Sequence, residues 1–375
     1  MMAEIPLARP DITEQEIEAV ISVLSTPNLS LGPKLEEFEK KIAEYVGVHH
    51  VVAVSSGTSA LHLVIIALDI GEGDEVITTP FSFVASANCI LYERANPVFV
   101  DIDPQTWNIE VNRIEEKITE RTKGILAVDV FGHPADWDRL QEISEKYNLR
   151  LIEDAAEALG AEYKGRRAGS FGDGAVFAFY PNKQITTGEG GAILTDNEET
   201  ADLCRSLRNQ GRSKGGGWLE HERLGYNYRL SDIHCALGIA QLERLDEILR
   251  SRERVAQLYN ERLKEIDEVV VPYVSSDVRK SWFVYVIRLS DDFTQEDRDR
   301  ILQELKGRGI GCNNYFSPIH LQPFYRKIAS YKEGDFPVTE AIAARTVALP
   351  FYGNLTEEEI ELVCDHLREL VRSKR

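Results

Sequence analysis

From Val51 onward the chain alternates short apolar runs with segments of helical periodicity, and this alternation restricts the fold more than any other feature. Runs with strand character fall at 51–54, 75–79, 97–100, 124–128, 150–152, 174–179 and 192–195. Helical segments fall at 59–68, 84–91, 110–118, 136–147 and 198–207. Strands that are apolar along their whole length need cover on both faces, and the intervening helices supply it. The pattern therefore predicts an α/β architecture with a mostly parallel, mixed sheet sandwiched by helices. Ahead of it, Thr13-Glu14-Gln15-Glu16 has the form of a capping box, and an amphipathic segment covers 34–45. A long helix from Ser231 to about Leu263 leaves this region. A strand at 280–289, a helix at 294–308, a strand at 309–312 and helices at 338–346 and 356–371 then predict a smaller C-terminal α+β domain. The division expected is a large domain over 1–250 and a small one over 251–375, with the boundary inside a helix.

Composition limits the partners. At 375 residues and 43% hydrophobic, the chain can bury cores for two domains. Its formal charge of −19 argues against non-specific nucleic-acid binding and offers an anion no general attraction, so any phosphate must be held by local groups. No apolar run approaches the length of a membrane span, and Met1–Pro6 lacks the basic-then-apolar order of a signal peptide, which together suggest a cytoplasmic protein. The five cysteines lack paired spacing, and the adjacent His49 and His50 would point to opposite faces of a strand, so no metal site is expected. One basic segment stands out: Arg205, Arg208, Arg212, Lys214, Arg223 and Arg229, interrupted by Gly215-Gly216-Gly217. It reads either as a solvated loop or as a contact for a substrate diphosphate.

Three stretches carry chemistry. The run 177–180 delivers Lys183 into a turn, followed by Thr186-Thr187-Gly188-Glu189-Gly190-Gly191. A lysine whose pKa is lowered by its surroundings becomes a nucleophile able to form a Schiff base with an aldehyde. The aldehyde most often held this way is pyridoxal 5′-phosphate (PLP), which also needs a carboxylate to keep its ring nitrogen protonated. Asp154, at the end of the apolar run beginning at Arg150, is the natural partner. Ser56-Gly57-Thr58 opens a helix directly after a strand, so its free N–H groups and the positive end of the helix dipole suit a phosphate. Taken singly, the lysine reads equally as a surface charge, the aspartate as a turn former, and the cradle as an ordinary capped turn.

Together with Pro80-Phe81-Ser82-Phe83-Val84-Ala85-Ser86, Glu153-Asp154-Ala155-Ala156 and Gly225-Tyr226-Asn227-Tyr228-Arg229, these motifs follow the order and spacing of one family. From about residue 6 to 371 the chain resembles the DegT/StrS-type sugar-nucleotide aminotransferases. The resemblance implies PLP-transferase fold type I, with Lys183 and Asp154 as catalytic residues. It places Ser56, Gly57, Thr58, Phe83, Asp154, Glu157, Lys183 and Asn227 around the cofactor, Phe83 stacked on its ring. Arg229, Tyr315 and His320 would contact substrate, the last two within the strip 315–320. Asn227 and Arg229 match residues that reach across a two-fold axis, so a homodimer with shared active sites is implied. Two positions depart from the family pattern: Ala178 stands where a phosphate-binding serine is common, and Asp129 where a histidine is common.

The implied activity is ping-pong transfer of an amino group from L-glutamate to a keto sugar of a nucleoside diphosphate, for polysaccharide, glycan or antibiotic biosynthesis. The stretch 153–160 looks closest to relatives acting on 4-keto-6-deoxy sugars. The alternative is a keto-cyclitol (inosose) aminotransferase. A sugar dehydratase on this scaffold would carry a histidine at Lys183, and a non-catalytic regulatory homologue would have lost Lys183 or Asp154.

Overall fold

The computed structural model describes residues 4–373 apart from 214, 216, 218 and 219. Its larger part is built on strands β1 (His50–Val54), β2 (Glu75–Thr78), β3 (Asn96–Phe99), β4 (Thr122–Val128), β5 (Arg150–Asp154), β8 (Gly174–Ala178) and β9 (Gly191–Thr195), with the small hairpin β6 (Glu162–Tyr163) and β7 (Arg166–Arg167) between β5 and β8. The seven-stranded sheet has the order β1-β9-β8-β5-β4-β2-β3. Only β9 runs against its neighbours. Fold type I, a mostly parallel mixed sheet between helices, is what the chain adopts.

The pleat sends alternate residues to opposite cores. Val52, Val54, Ile152 and Val176 join one core with α3 (Gly57–Ala67), α4 (Ala85–Tyr92) and α6 (Glu198–Arg208). Val51, Ala53, Ala175 and Phe177 pack on the other face against α2 (Pro33–Val46) and α7 (Asp232–Glu243). Farther along that face Ile125 and Leu151 meet Trp137 and Leu140 of α5 (Trp137–Tyr147). The capping box is formed: Thr13 caps α1 (Glu14–Leu24), and the Glu16 carboxylate accepts the Thr13 N–H.

The second core belongs to an antiparallel sheet of order β10-β12-β13, formed by β10 (Val269–Val270), β12 (Tyr285–Leu289) and β13 (Thr346–Leu349). Val255, Tyr259 and Leu263 of α8 (Leu245–Leu263), Ile301 and Leu305 of α9 (Gln295–Gly307), and Ile360, Val363 and Leu367 of α12 (Glu357–Arg372) cover it, and Ile5 reaches in from the N-terminal segment. Between them, α10 (Tyr325–Ile328) and α11 (Pro337–Ala343) are short, and β11 (Val278–Arg279) pairs with β6 of the larger part.

Several expected elements differ. Residues 110–118 form two short 3₁₀ turns instead of a helix; Val111 and Ile114, three apart, both bury in the core, the spacing that a 3₁₀ turn eclipses. The helix expected from 231 to 263 breaks at Arg244, whose guanidinium reaches back to Asp11 (3.3 Å) and Glu16 (2.9 Å). The stretch 309–312 makes only the isolated bridge Ile5–Ile310, and the helix expected to reach 346 stops at Ala343, where β13 soon begins. Short apolar runs do not distinguish buried helix from buried strand by periodicity. Among the described residues, no helix is long and apolar enough to cross a membrane.

Candidate active site

The C-terminal ends of β1, β5 and β8 meet the first turns of α3 and α4 in one cleft of about 420 Å³, whose walls include Lys183, Asp154, Glu157, Phe83 and Tyr315. Ligands of open α/β sheets bind at these strand ends because the chain reverses there into loops and helix N-termini. After β8, Phe179 stays buried, and a turn closed by the Lys183 N–H donating to the Tyr180 carbonyl (2.9 Å) aims the lysine inward. The turn is pinned from below: the buried Arg252 of α8 donates to the Lys183 carbonyl (2.9 Å). Burial lowers that guanidinium to about 10. Lys183 Nζ lies 3.6 Å from Glu157 Oε1 and 4.0 Å from the centre of the Phe283 ring, so its charge meets a carboxylate and an aromatic face.

Asp154 ends β5 with its carboxyl turned into the cleft. Oδ2 accepts a hydrogen bond from Ser86 Oγ (2.7 Å) and Oδ1 one from the Ala156 N–H (3.2 Å). Burial raises this carboxyl above its ordinary range, against the pull of the Ser86 hydroxyl, the Ala156 amide and the Lys183 charge. Glu157 is raised too, chiefly by burial and against the Lys183 charge, and its Oε2 accepts the Phe131 N–H (2.9 Å).

The cradle forms where β1 passes into α3. Ser56 is the N-cap, its Oγ accepting the Ser59 N–H (3.0 Å), and Gly57 and Thr58 open the helix toward the cleft. A Cβ on Gly57 would stand 2.7 Å from that of Ala178, and one on Gly191 would stand 2.4 Å from the Ser56 carbonyl. Glycine at both positions lets β8 and β9 press against the cradle. Phe83, 61% exposed, also lines the cleft.

Not every expected residue comes here. His320 is a correction: past Ser317-Pro318 the strip enters a 3₁₀ turn, Ile319–Leu321, which buries this histidine completely. Its Nε2 lies 3.0 Å from Glu340 Oε1, with its ring against Phe336, while Tyr315 and Phe316 stay in the cleft. Asn227 and Arg229 do not line the cleft of their own chain either. Asn227 is exposed beside Asn209, and Arg229 donates to Asn209 Oδ1 (3.1 Å). The basic segment is largely paired: Arg205 with Asp202 (3.0 Å), Arg208 with Glu39 and the Ala53 carbonyl (2.6 Å), and Arg223 with Ser206 Oγ (2.6 Å). Lys214 and Gly216 of that segment lie outside the described residues.

Sequence reasoning missed Ser82, Ser86 and Phe283. The two serines carried a readable signal, four apart and flanking Phe83 at a helix start. Phe283 carried none, because it enters from just ahead of β12 in the smaller part.

A lysine amine for an aldehyde, a buried carboxylate for a ring nitrogen, an aromatic wall and a helix N-terminus for a phosphate fit PLP. Set at the end of this mixed sheet, they define a PLP-dependent enzyme of fold type I. The chain belongs to the DegT/DnrJ/EryC1/StrS aminotransferase family, whose model matches residues 10–368. It is similar to GDP-perosamine synthase of Caulobacter vibrioides, 39% identical over 99% of each chain. Among solved structures it is similar to PseC of Helicobacter pylori, an aminotransferase involved in the biosynthesis of pseudoaminic acid (30% identity, TM-score 0.94, covering 99% of this chain and 100% of that one). Spr1654 of Streptococcus pneumoniae superposes with a TM-score of 0.94 in a PMP form (28% identity, covering 98% of this chain and 99% of that one) and also in a PLP form. Enzymes of this family depend on PLP, and PLP is the cofactor of this chain.

Proposed function

We propose that the protein transfers an amino group from L-glutamate to the keto carbon of a sugar carried on a nucleoside diphosphate, the sugar being a 4-keto-6-deoxy hexose. The observation that carries this reading is the convergence of Lys183 and Asp154 on one cleft beside the α3 N-terminus. Relatives such as GDP-perosamine synthase and PseC, the latter involved in the biosynthesis of pseudoaminic acid, support an amino-sugar product. When bound, PLP supplies an electrophilic aldehyde and a sink for the electron pair left when a C–H bond is broken.

The chain's residues do the rest. Lys183 anchors the cofactor through its amine, and once displaced by the donor it takes a proton from the donor carbon and later returns one to the sugar carbon. Glu157, 3.6 Å away, holds that amine in place. Asp154 keeps a proton on the ring nitrogen by staying ionised against it. Phe83 would cover one ring face, and Ser56, Gly57 and Thr58 would hold the phosphate. Ala178 adds no hydroxyl, which removes a charge-assisted hydrogen bond of about 1.5–3 kcal/mol that a serine could give. Tyr315, on the cleft wall, meets the sugar.

The homodimer belongs to the same proposal. Ile17, Ile21 and Leu24 share one face of α1 and stand exposed, as do Leu29 and Leu31. The Leu29 carbonyl accepts the Asp232 N–H and Ser30 bridges Ser231, so the turn carrying Leu29 and Leu31 lies beside the segment that follows Arg229. A second copy covering this apolar surface would carry Arg229 and Asn227 toward a neighbouring cleft. The test is a panel of nucleotide-linked keto sugars and keto-cyclitols supplied with glutamate, products read by mass spectrometry. Glutamate should bleach the yellow cofactor band, and an aminated nucleotide sugar should form. Amination of a keto-cyclitol alone would overturn the substrate reading.

A further inference from the structure

We propose that Ser86, backed by Ser82, is a positioning residue that keeps Asp154 an ionised hydrogen-bond acceptor for the cofactor ring nitrogen. This rests on the assignment of Asp154 above. Ser86 sits in the first turn of α4, 1% exposed, with Oγ 2.7 Å from Asp154 Oδ2; Ser82 Oγ lies 2.8 Å from Ser86 Oγ and is 5% exposed. A carboxylate can only accept, so the Ser86 proton is committed to Asp154. The Ser82–Ser86 contact then has one possible sense, with Ser82 donating. The result is a directed chain from Ser82 through Ser86 to the carboxylate, in which each bond polarises the next inside a buried wall. Phe83 lies between the two serines, so one five-residue stretch carries both the ring's aromatic wall and the donor to its carboxylate.

The need for such a donor follows from the surroundings of Asp154. Lys183, from the loop after β8, is the cation that favours its ionised form. Glu157 on its own segment, Asp129 at the end of β4 and the buried thiol of Cys89 on α4 each feel its charge as unfavourable. Burial also favours the protonated acid. Besides Lys183, the Ser86 hydroxyl and the Ala156 amide are the groups among the described residues that oppose these effects.

The test uses the holoenzyme. Ser86→Ala should lose cofactor on dilution with a dissociation constant raised roughly 10- to 100-fold, the loss expected for one hydrogen bond to a charged group. The acid limb of the glutamate half-reaction should move to higher pH, because an Asp154 deprived of its donor protonates sooner. Ser86→Thr, which keeps the hydroxyl, should restore both, and Ser82→Ala should shift both less, in the same direction. In an Asp154→Asn background, Ser86→Ala should add nothing. Wild-type cofactor retention and pH profile in Ser86→Ala, even with a lowered melting temperature, would overturn the proposal and leave Ser86 a packing residue. An equal loss with or without Asp154 would overturn it too. If Asp154→Asn itself retains cofactor normally, the failure lies in the assignment of Asp154.

Discussion

Glu153 and Asp154 are consecutive acids on β5, and the pleat turns them to opposite faces of the sheet. On the cleft face Asp154 meets a serine hydroxyl and the charge of Lys183. On the core face Glu153 accepts the N–H groups of Gly169 (2.7 Å) and Phe171 (2.9 Å) and lies beside Asp129, which accepts from Ala135 N–H (2.9 Å) and Trp137 Nε1 (3.2 Å). Burial raises both core-face carboxyls, Asp129 to about 7 and Glu153 well above its ordinary range, the Asp129 charge adding to the rise of Glu153. That pair therefore holds a proton, whereas Asp154, raised by burial as well, has a hydroxyl, an amide and the Lys183 charge that favour its ionised form. A carboxyl on this strand is structural on the core face and, in the function proposed above, chemical on the cleft face, and a shift of one residue in register would exchange the two.

The sharpest break of this contrast comes from the cleft face. Lys183→Ala should abolish turnover while the melting temperature stays close to wild type; product formation near the wild-type rate would remove its role. If Arg229 acts across a two-fold axis, mixing that variant with Arg229→Ala should restore part of the activity through hybrid dimers. Next in size, Asp154→Asn should lower turnover roughly a thousandfold, since the charge that holds the ring proton is gone. Glu153→Gln should keep turnover within several-fold but lower the melting temperature, because a carboxyl anchored by two buried amides is replaced. Equal kinetic losses in the two variants would erase the distinction between the faces.

The smallest effect concerns the shared proton. Asp129 has a folded pKa of about 7 against an ordinary 3.8, so the folded chain keeps a proton that the unfolded chain releases. Its contribution to stability is complete below about pH 4 and is lost as pH rises toward 7. Asp129→Asn removes this dependence. Relative to wild type, the variant should gain stability as pH goes from about 5 to 8. Parallel urea titrations of both proteins at several pH values measure the difference, and a constant offset across that range would contradict the assignment.

The main sheet was legible because strands buried on both faces leave unbroken apolar runs, so all seven fall within two residues of their expected bounds. Extending β5 to Asp154 matters most, since it fixes which face that carboxyl takes. The 3₁₀ turns at 110–118 and the strand β13 were not legible, because neighbours far along the chain decide them. Tyr315 and His320 part within one six-residue strip because the turn at Ile319–Leu321 sets His320 against Phe336 and Glu340, farther along the chain, while Tyr315 stays in the cleft.

The sequence by itself determined the alternating architecture, the lysine after β8, the acid ending β5 and the capped turn opening α3, since periodicity and turn chemistry act over a few residues. Only the tertiary structure decided which side chains share the cleft. It brought in Ser86 and Phe283, excluded His320, and left the exposed Asn227 and the half-buried Arg229 outside it. Whether a side chain meets ligand, core or a second chain depends on the packing of segments distant in sequence, which local pattern does not encode.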